Sequence, residues 1–489
     1  MKKSLFSAPC ALLWSLALMV SAAAAPKPNI VFIITDDQAA DAVAASKLWG
    51  ADSSGLRTPN LDRLYQNGTV FQQAYNMGAW HGAVCVASRS MLLTGRFVWK
   101  TREEEKGRFA GTVSQERTWS QRMKRAGYST YMSGKWHVET DAKKIFDHTF
   151  NIRPGMAPTV PESYNRPVEG KKDKWNPADP KTRGLWTGGK HWSEVLADDA
   201  ETFVKQAAGE KKPFFMYLAF NAPHDPRQAP QSWLDQYPME KIPMPENFLP
   251  VNPHRVIMGM ENASGSSVLR DEKLAPFPRT EFAIRTHRKE YYALVSHTDE
   301  QIGRILQALE KAGVADDTII VFTSDHGLAV GRHGLMGKQS MFEHSMRVPF
   351  VIAGPSVPKG KVVQERIYLQ DAVATALDFA DADRDGVEFK SLRPLMEGKT
   401  TTHYDAIYGA YEVGSQRAVI HGKDKLILYP KGNVALLYDL ERDPLEKEPI
   451  ADSPASDAVK KRLFAKLLEL QKQNGDPLDL TAVYPQWKP

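Results

Sequence analysis

The stretch "PNIVFIITDDQ", residues 28–38, carries the reading of the fold. Its apolar run, Ile30 to Ile34, is rich in β-branched residues and has no polar alternation. Such a run predicts a strand buried on both faces, as in the middle of a parallel sheet. It ends on two carboxylates, Asp36 and Asp37. "PFFMYLAFNAPHDP" (213–226) and "TIIVFTSDHG" (318–327) repeat the pattern. Amphipathic helices lie between these strands. "TPNLDRLYQNG" (58–68) has Thr58 as N-cap, Pro59 in the first turn, Leu61 and Leu64 on one face and Gly68 as stop. "SQRMKRAG" (120–127) reads as a helix stopped by Gly127, with a short strand running into Gly134. Ile302, Ile305, Leu306 and Leu309 keep helical spacing before Gly313. Strands alternating with helices predict an α/β fold, a large, mostly parallel sheet sandwiched between helices. Such sheets hold their sites beyond the carboxyl ends of the strands. Three strands here end in reactive groups, Asp36-Asp37, Asn221 to His224 and Asp325-His326, so one shared site is expected.

Residues 1–25 read as a signal peptide: "MKK", the apolar "ALLWSLALMV" and the small "SAAAA" before Pro26. That apolar run is too short to span a membrane, and no later one is longer, so no membrane span is expected. A periplasmic or secreted location follows. Cys10 precedes the apolar run, where a lipid-anchor cysteine would follow it. Residues 26–400 are read as the α/β domain. From about 405 the short runs "RAVIHG", "DKLILYP" and "ALLYDLERDP" and a helix near 455–473 predict a smaller α+β unit over 401–489, built on an antiparallel sheet. Residues 151–192 and 226–280 read as long excursions around the cleft.

Composition narrows the function classes. With 63 basic and 58 acidic residues and no basic tail, nucleic acid is not suggested. Once the signal is removed Cys85 is the only cysteine, so no internal disulfide is available and an exported protein keeps one thiol. That thiol is either a buried, inert side chain or wanted for its chemistry.

Paired carboxylates at a strand end suit a hard divalent cation, although a bare Asp-Asp pair reads first as a solvated loop or helix cap. Asp325 and His326 stand at a second strand end. Arg89 comes next, with Lys135 and His137 in "GKWH", His224 in "APHDP" and Lys338 in "GLMGKQ"; loop positions beside glycines and prolines favour a functional reading. A metal, lysines, an arginine and histidines are what a tetrahedral anion such as sulfate or phosphate needs: the charges hold its oxygens and a histidine can protonate the departing alcohol.

"CVASRSMLLTGR" (85–96) resembles the sulfatase signature, C-x-P-S-R followed by Leu-Thr-Gly. "NIVFIITDDQ", "GKWH", "APHDP", "SDHG", the lysine of "GLMGKQ", "EHSMRVPFVIAGP" and "LLYDLERDPLEKEPIAD" fall in that family's order, across almost the whole mature chain. The resemblance implies a formylglycine-dependent sulfatase of the alkaline-phosphatase-like superfamily. Cys85 is then oxidised to formylglycine. One hydroxyl of its gem-diol attacks sulfur and expels the alcohol, and loss of the second hydroxyl's proton ejects sulfate and restores the aldehyde. Ca²⁺, before Mg²⁺, is implied on Asp36, Asp37, Asp325, His326 and the modified Cys85; many members carry Asn where His326 stands. Arg89 and Lys135 stabilise the ionised gem-diol and His137 bonds to it. His224 and Lys338 bind sulfate and the leaving oxygen, with His224 the preferred general acid.

Ala87 departs from the signature's Pro. The oxygen-dependent formylglycine-generating enzyme prefers Pro, while the anaerobic sulfatase-maturating enzyme tolerates Ala, so either partner is carried forward. The expected substrate is a sulfated carbohydrate, with another small sulfate ester as the further possibility. Lys135, His224, Lys338, Trp80, His81 and His333 are the expected contacts; Trp175, Trp186, Lys190 and Trp192 read as sugar-stacking or as loop packing. The alternatives are a phosphatase or phosphonate monoester hydrolase on the same scaffold, and a non-catalytic sulfated-glycan-binding protein with an unconverted Cys85.

Overall fold

The computed structural model describes residues 27–49, 55–187, 189–262 and 267–489. The signal-peptide segment lies outside the described residues. The main sheet has eight strands: β1 (Asn29–Thr35), β2 (Gly68–Phe71), β3 (Ser129–Lys135), β4 (His148–Arg153), β5 (Phe214–Ala219), β6 (Thr318–Ser324), β7 (Phe350–Ala353) and β8 (Lys361–Val363). Their spatial order is β8-β2-β7-β6-β1-β5-β3-β4. Only β7 runs antiparallel to its neighbours, so the sheet is mostly parallel, as the sequence predicts.

The run Ile30 to Ile34 is 0% exposed throughout. Strand geometry explains why it needs no polar residue, since successive side chains point to opposite faces and both are covered. Ile30, Phe32 and Ile34 pack with Trp119 and Met123 of α3 (Trp119–Arg125), Leu92 of α2 (Val84–Thr94) and Val373 and Leu377 of α6 (Asp371–Phe379). Val31 and Ile33 pack with Leu61 and Leu64 of α1 (Pro59–Asn67), Phe203 of α4 (Trp192–Ala208) and Ile302 and Ile305 of α5 (Glu281–Lys311). Truncating Phe32 to Ala would cost about 3–5 kcal/mol through the cavity left between sheet and helices.

A second sheet follows: β9 (Ala406–Tyr411), β10 (Gln416–His421), β11 (Asp424–Tyr429) and β12 (Val434–Asp439) pair antiparallel in chain order. Leu463, Phe464 and Leu467 of α7 (Pro454–Asn474) share its core. This sheet is not built from the C-terminal segment alone. The two-residue strand Gly78–Ala79 adds to its edge, parallel to β9. Gly78 is required there: its φ is 105° and a Cβ would lie 1.8 Å from the Ala410 carbonyl oxygen. The chain then runs straight into α2, whose Val84, Ala87 and Met91 pack into the C-terminal core. Among the described residues no helix is long and apolar enough to cross a membrane.

Candidate active site

Four strands adjacent in the sheet, β6, β1, β5 and β3, deliver the expected residues at or just beyond their carboxyl ends. Backbone bonds tie these ends together: the Asp36 N–H donates to the Ala222 carbonyl (3.1 Å) and the Asp325 N–H to that of Thr35 (3.2 Å). Asp37 takes φ 67°, a left-handed conformation that short polar side chains tolerate, and its N–H donates to Asp325 Oδ1 at 3.2 Å. At the end of β3, Gly134 has φ 93°, and a Cβ would lie 1.9 Å from the Ala219 carbonyl oxygen. A register shift at Ser133/Gly134 precedes Lys135, which ion-pairs with Asp36.

Cys85 is the second residue of α2, at the helix end that favours negative charge. Its Sγ lies 3.2 Å from Asp36 Oδ1 and 3.9 Å from Asp37 Oδ1. Arg89, one turn on and therefore on the same helix face, binds Asp325 Oδ2 through Nε (2.9 Å) and the Lys135 carbonyl through Nη1 (2.9 Å). Lys338 Nζ reaches both oxygens of Asp37, at 2.6 and 2.5 Å. His224 Nε2 stands 3.6 Å from Asp37 Oδ2. His224 Nδ1 meets the Asp225 carbonyl at 2.7 Å; a carbonyl only accepts, so Nδ1 carries the hydrogen and Nε2 faces the site. The His137 ring packs on Gly155, where a Cβ would come within 2.2 Å of the imidazole. Arg89 Nη2 and His137 Nδ1 are buried with no hydrogen-bond partner among the described residues.

Burial governs the charges. It pushes Asp36 up to about 6 and Asp37 well above the carboxylate range; Asp325 adds to the first shift, while Lys338 opposes the second. Burial works in the same direction on Asp325, but Arg89 and then Lys135 hold that carboxylate well below its usual value. Burial, with Asp325 and Asp36 beside it, raises the Cys85 thiol well above its usual value. As a thiol it is therefore protonated and a poor nucleophile. Burial, with Lys338 and Lys135 nearby, keeps His224 neutral, whereas Asp37 keeps Lys338 protonated against the pull of burial.

Asp36, Asp37, Cys85 and His224 offer ligand atoms within 4.8 Å of one another. This set differs from the expected Asp36, Asp37, Cys85, Asp325 and His326. Asp325 is engaged by Arg89, and His326 Nε2 donates to the Val84 carbonyl at 3.1 Å, leaving Nδ1 as its lone-pair nitrogen. The donor chemistry fits a hard cation: oxygen donors whose ionised forms are disfavoured by burial need added positive charge.

The other expected contacts have partners of their own outside the cluster. The Trp80 indole donates to Glu105 Oε2 at 2.6 Å, and half-buried His81 accepts from the Ala83 N–H. His333 stacks on Phe342, with centroids 4.0 Å apart, and its Nε2 meets Asn247 and the Leu445 carbonyl. Trp175 and Trp192 are buried, Trp192 beneath the Arg153 guanidinium, which is the loop-packing reading.

Sequence reasoning missed four residues. Asn76 Nδ2 joins Ser88 Oγ (2.8 Å) to the Asp325 carbonyl (2.7 Å) and so locks α2 to β6. Asp225, Arg270 and Asp271 stand behind His224 and Lys338. Asp225 lay within "APHDP" and Arg270 within the 226–280 excursion, but no spacing links them.

The model of the Sulfatase family matches residues 28–382. The chain belongs to the sulfatase family. These enzymes are sulfuric ester hydrolases, and residues 331–473 of this sulfatase also match the N-sulphoglucosamine sulphohydrolase C-terminal family. An arylsulfatase of Clostridium perfringens is 29% identical, with 87% of this chain and 91% of that protein covered. An N-acetylglucosamine-6-O-sulfatase of Bacteroides thetaiotaomicron is 27% identical over 92% of this chain and 87% of its own. A solved structure in complex with its substrate D-glucosamine-2-N,6-O-disulfate shares the fold, with a TM-score of 0.70 and 24% identity, over 92% of this chain and 99% of that one.

Proposed function

We propose that this sulfatase is exported and hydrolyses sulfate monoesters of a sulfated carbohydrate, with Cys85 converted to formylglycine as its nucleophile. The observation that carries the reading is the single buried cluster of Cys85, Asp36, Asp37, Arg89, Lys135, His224, Asp325 and Lys338. A formylglycine at position 85 supplies a hydrated aldehyde, which a protonated thiol cannot replace as a recyclable nucleophile. Asp36 and Asp37, with Asp325, His326 and residue 85, would hold Ca²⁺, which when bound would supply positive charge to a sulfate ester.

The chain's own side chains do the rest. Arg89 and Lys135 stabilise negative charge on the oxygen of residue 85, and His137 hydrogen-bonds to it. Lys338 and His224 meet the sulfate and the leaving oxygen. As the S–O bond to the sugar breaks, a proton must pass to the leaving oxygen. The family resemblance favours His224 as donor; burial and its lysine neighbours keep His224 neutral, whereas Asp37 keeps Lys338 protonated. Trp80 and His81 are the proposed contacts to the rest of the substrate.

A carbohydrate is favoured because the N-sulphoglucosamine sulphohydrolase C-terminal match and the glucosamine-sulfate relatives converge on amino sugars. The test is sulfate release by matured protein from glucosamine 6-sulfate, N-sulfoglucosamine, other sulfated sugars, choline sulfate and an aryl sulfate, beside a phosphonate monoester. A sulfated sugar is expected to give the highest kcat/KM. Preferential cleavage of the phosphonate, or binding of sulfated sugar with no sulfate release, contradicts the proposal. Export predicts a mature chain that starts at Pro26 by N-terminal sequencing.

A further inference from the structure

The two groups that meet the leaving oxygen share a single support. Arg270 grips both oxygens of Asp225, with Nη2 3.0 Å from Oδ1 and Nη1 on Oδ2. The same Nη2 lies 2.6 Å from Asp271 Oδ1. Asp225 backs His224, with its carbonyl on Nδ1 and its Oδ1 3.4 Å from that nitrogen. Asp271 backs Lys338: its Oδ2 is 4.0 Å from Nζ and accepts from Gln339 Nε2 at 2.8 Å, while Gln339 Oε1 accepts the Lys338 backbone N–H at 3.1 Å. Both carboxylates are 5% exposed, whereas the Arg270 side chain keeps 26% of its surface and bonds to the Tyr164 hydroxyl at 3.4 Å. One planar guanidinium thus ties the support behind His224 to the support behind Lys338. A lysine, a point charge with no fork, cannot reproduce that bridge.

We infer that Arg270 is a positioning residue that sets His224 and Lys338 together at the leaving oxygen. This rests on the proposed role of that pair. As the residue 85 oxygen bonds to sulfur, the S–O bond to the sugar breaks, its electron pair goes to the leaving oxygen, and a proton moves there from Lys338 or His224. An alkoxide leaving from a sugar needs that proton, whereas a nitrophenolate departs as a stable anion. Disturbing Arg270 therefore affects the two leaving groups unequally, which a purely structural role does not.

The test measures kcat and KM of matured wild type, R270A and R270K on a sulfated sugar and on 4-nitrophenyl sulfate, with thermal melts alongside. Both variants are expected to lose about 10- to 100-fold in kcat on the sugar. On the aryl ester the loss is less than about threefold, and added guanidinium restores part of the R270A sugar activity. R270K carries the test if R270A does not fold. Equal losses on both substrates, or no loss on either, overturn the inference while the proposed function stands. A matured wild type that releases sulfate from neither substrate overturns both.

Discussion

At the carboxyl ends of the central strands, Asp36, Asp37 and Asp325 face Arg89, Lys135 and Lys338, each at most 4% exposed. Lys425, on β11 of the second sheet, lies equally buried in a joint between Glu343 (2.9 Å) and Glu446 (2.7 Å). The Tyr75 hydroxyl donates to the second oxygen of Glu343 (3.0 Å), and the Glu343 N–H to the second oxygen of Glu446 (2.6 Å). At this joint one cation is shared by two carboxylates, the Arg347 guanidinium stands 3.6 Å from Glu343, and Glu446 Oε1 has its ion pair with Lys425 but no hydrogen-bond partner among the described residues. At the strand ends the groups left over are nitrogens, Arg89 Nη2 and His137 Nδ1, and three carboxylates crowd together, two of them pushed up by burial. Buried carboxylates that share one cation join elements; buried charge with nitrogens to spare is arranged for a ligand.

The sharpest break in this comparison is Cys85→Ala, which is expected to lower kcat by about a thousandfold or more with little change in melting temperature. Sulfate hydrolysis at the wild-type rate by that variant rejects residue 85 as nucleophile. Lys425→Met does the reverse: it strands two buried carboxylates and costs about 3–5 kcal/mol in denaturant unfolding, while kcat per folded molecule holds. A loss of kcat without a loss of stability would place the joint in the catalytic machinery. Removing Ca²⁺ comes next. Protein kept in free Ca²⁺ at about 100 times its Kd should lose about 2.7 kcal/mol on chelation, in wild type and in Lys425→Met alike. An unchanged melt on chelation contradicts a resident cation.

The smallest effect is in pH. Burial pushes Glu446 up to about 7 from 4.5, with Lys425 pulling against it. Between those values the folded chain binds more protons than the unfolded one, so stability is full below about 4.5 and falls as pH rises through about 7. The loss is on the order of 1–3 kcal/mol, and Glu446→Gln should flatten it. Glu343, lowered by Lys425 against the effect of burial, acts below that window. A wild-type stability that rises from pH 5 to 8 with the slope unchanged in Glu446→Gln contradicts the assignment.

Much of this was legible in the chain. Ile30 to Ile34 announced a strand covered on both faces, and the residues that close strands pointed to one site, because both signals are local. The Gly78–Ala79 strand was not, since two residues carry no period. Nor was the joint, whose members Tyr75, Glu343, Lys425 and Glu446 meet only through the fold, or the link of Arg270 to Asp225 and Asp271. Ala87, conspicuous as a departure from the signature, is a fully buried residue of α2 against the C-terminal core. For Trp175 and Trp192 the sequence left packing and sugar-stacking open, because an aromatic reads alike whether it packs inward or faces a sugar; both are buried.

The central claim turns on the chemical state of residue 85. Peptide mass spectrometry across residues 83–96 of the chain purified from its native host tests it most directly. An aldehyde in place of the thiol is the predicted result. A cysteine left wholly unmodified in protein that still releases sulfate from its substrate would contradict it.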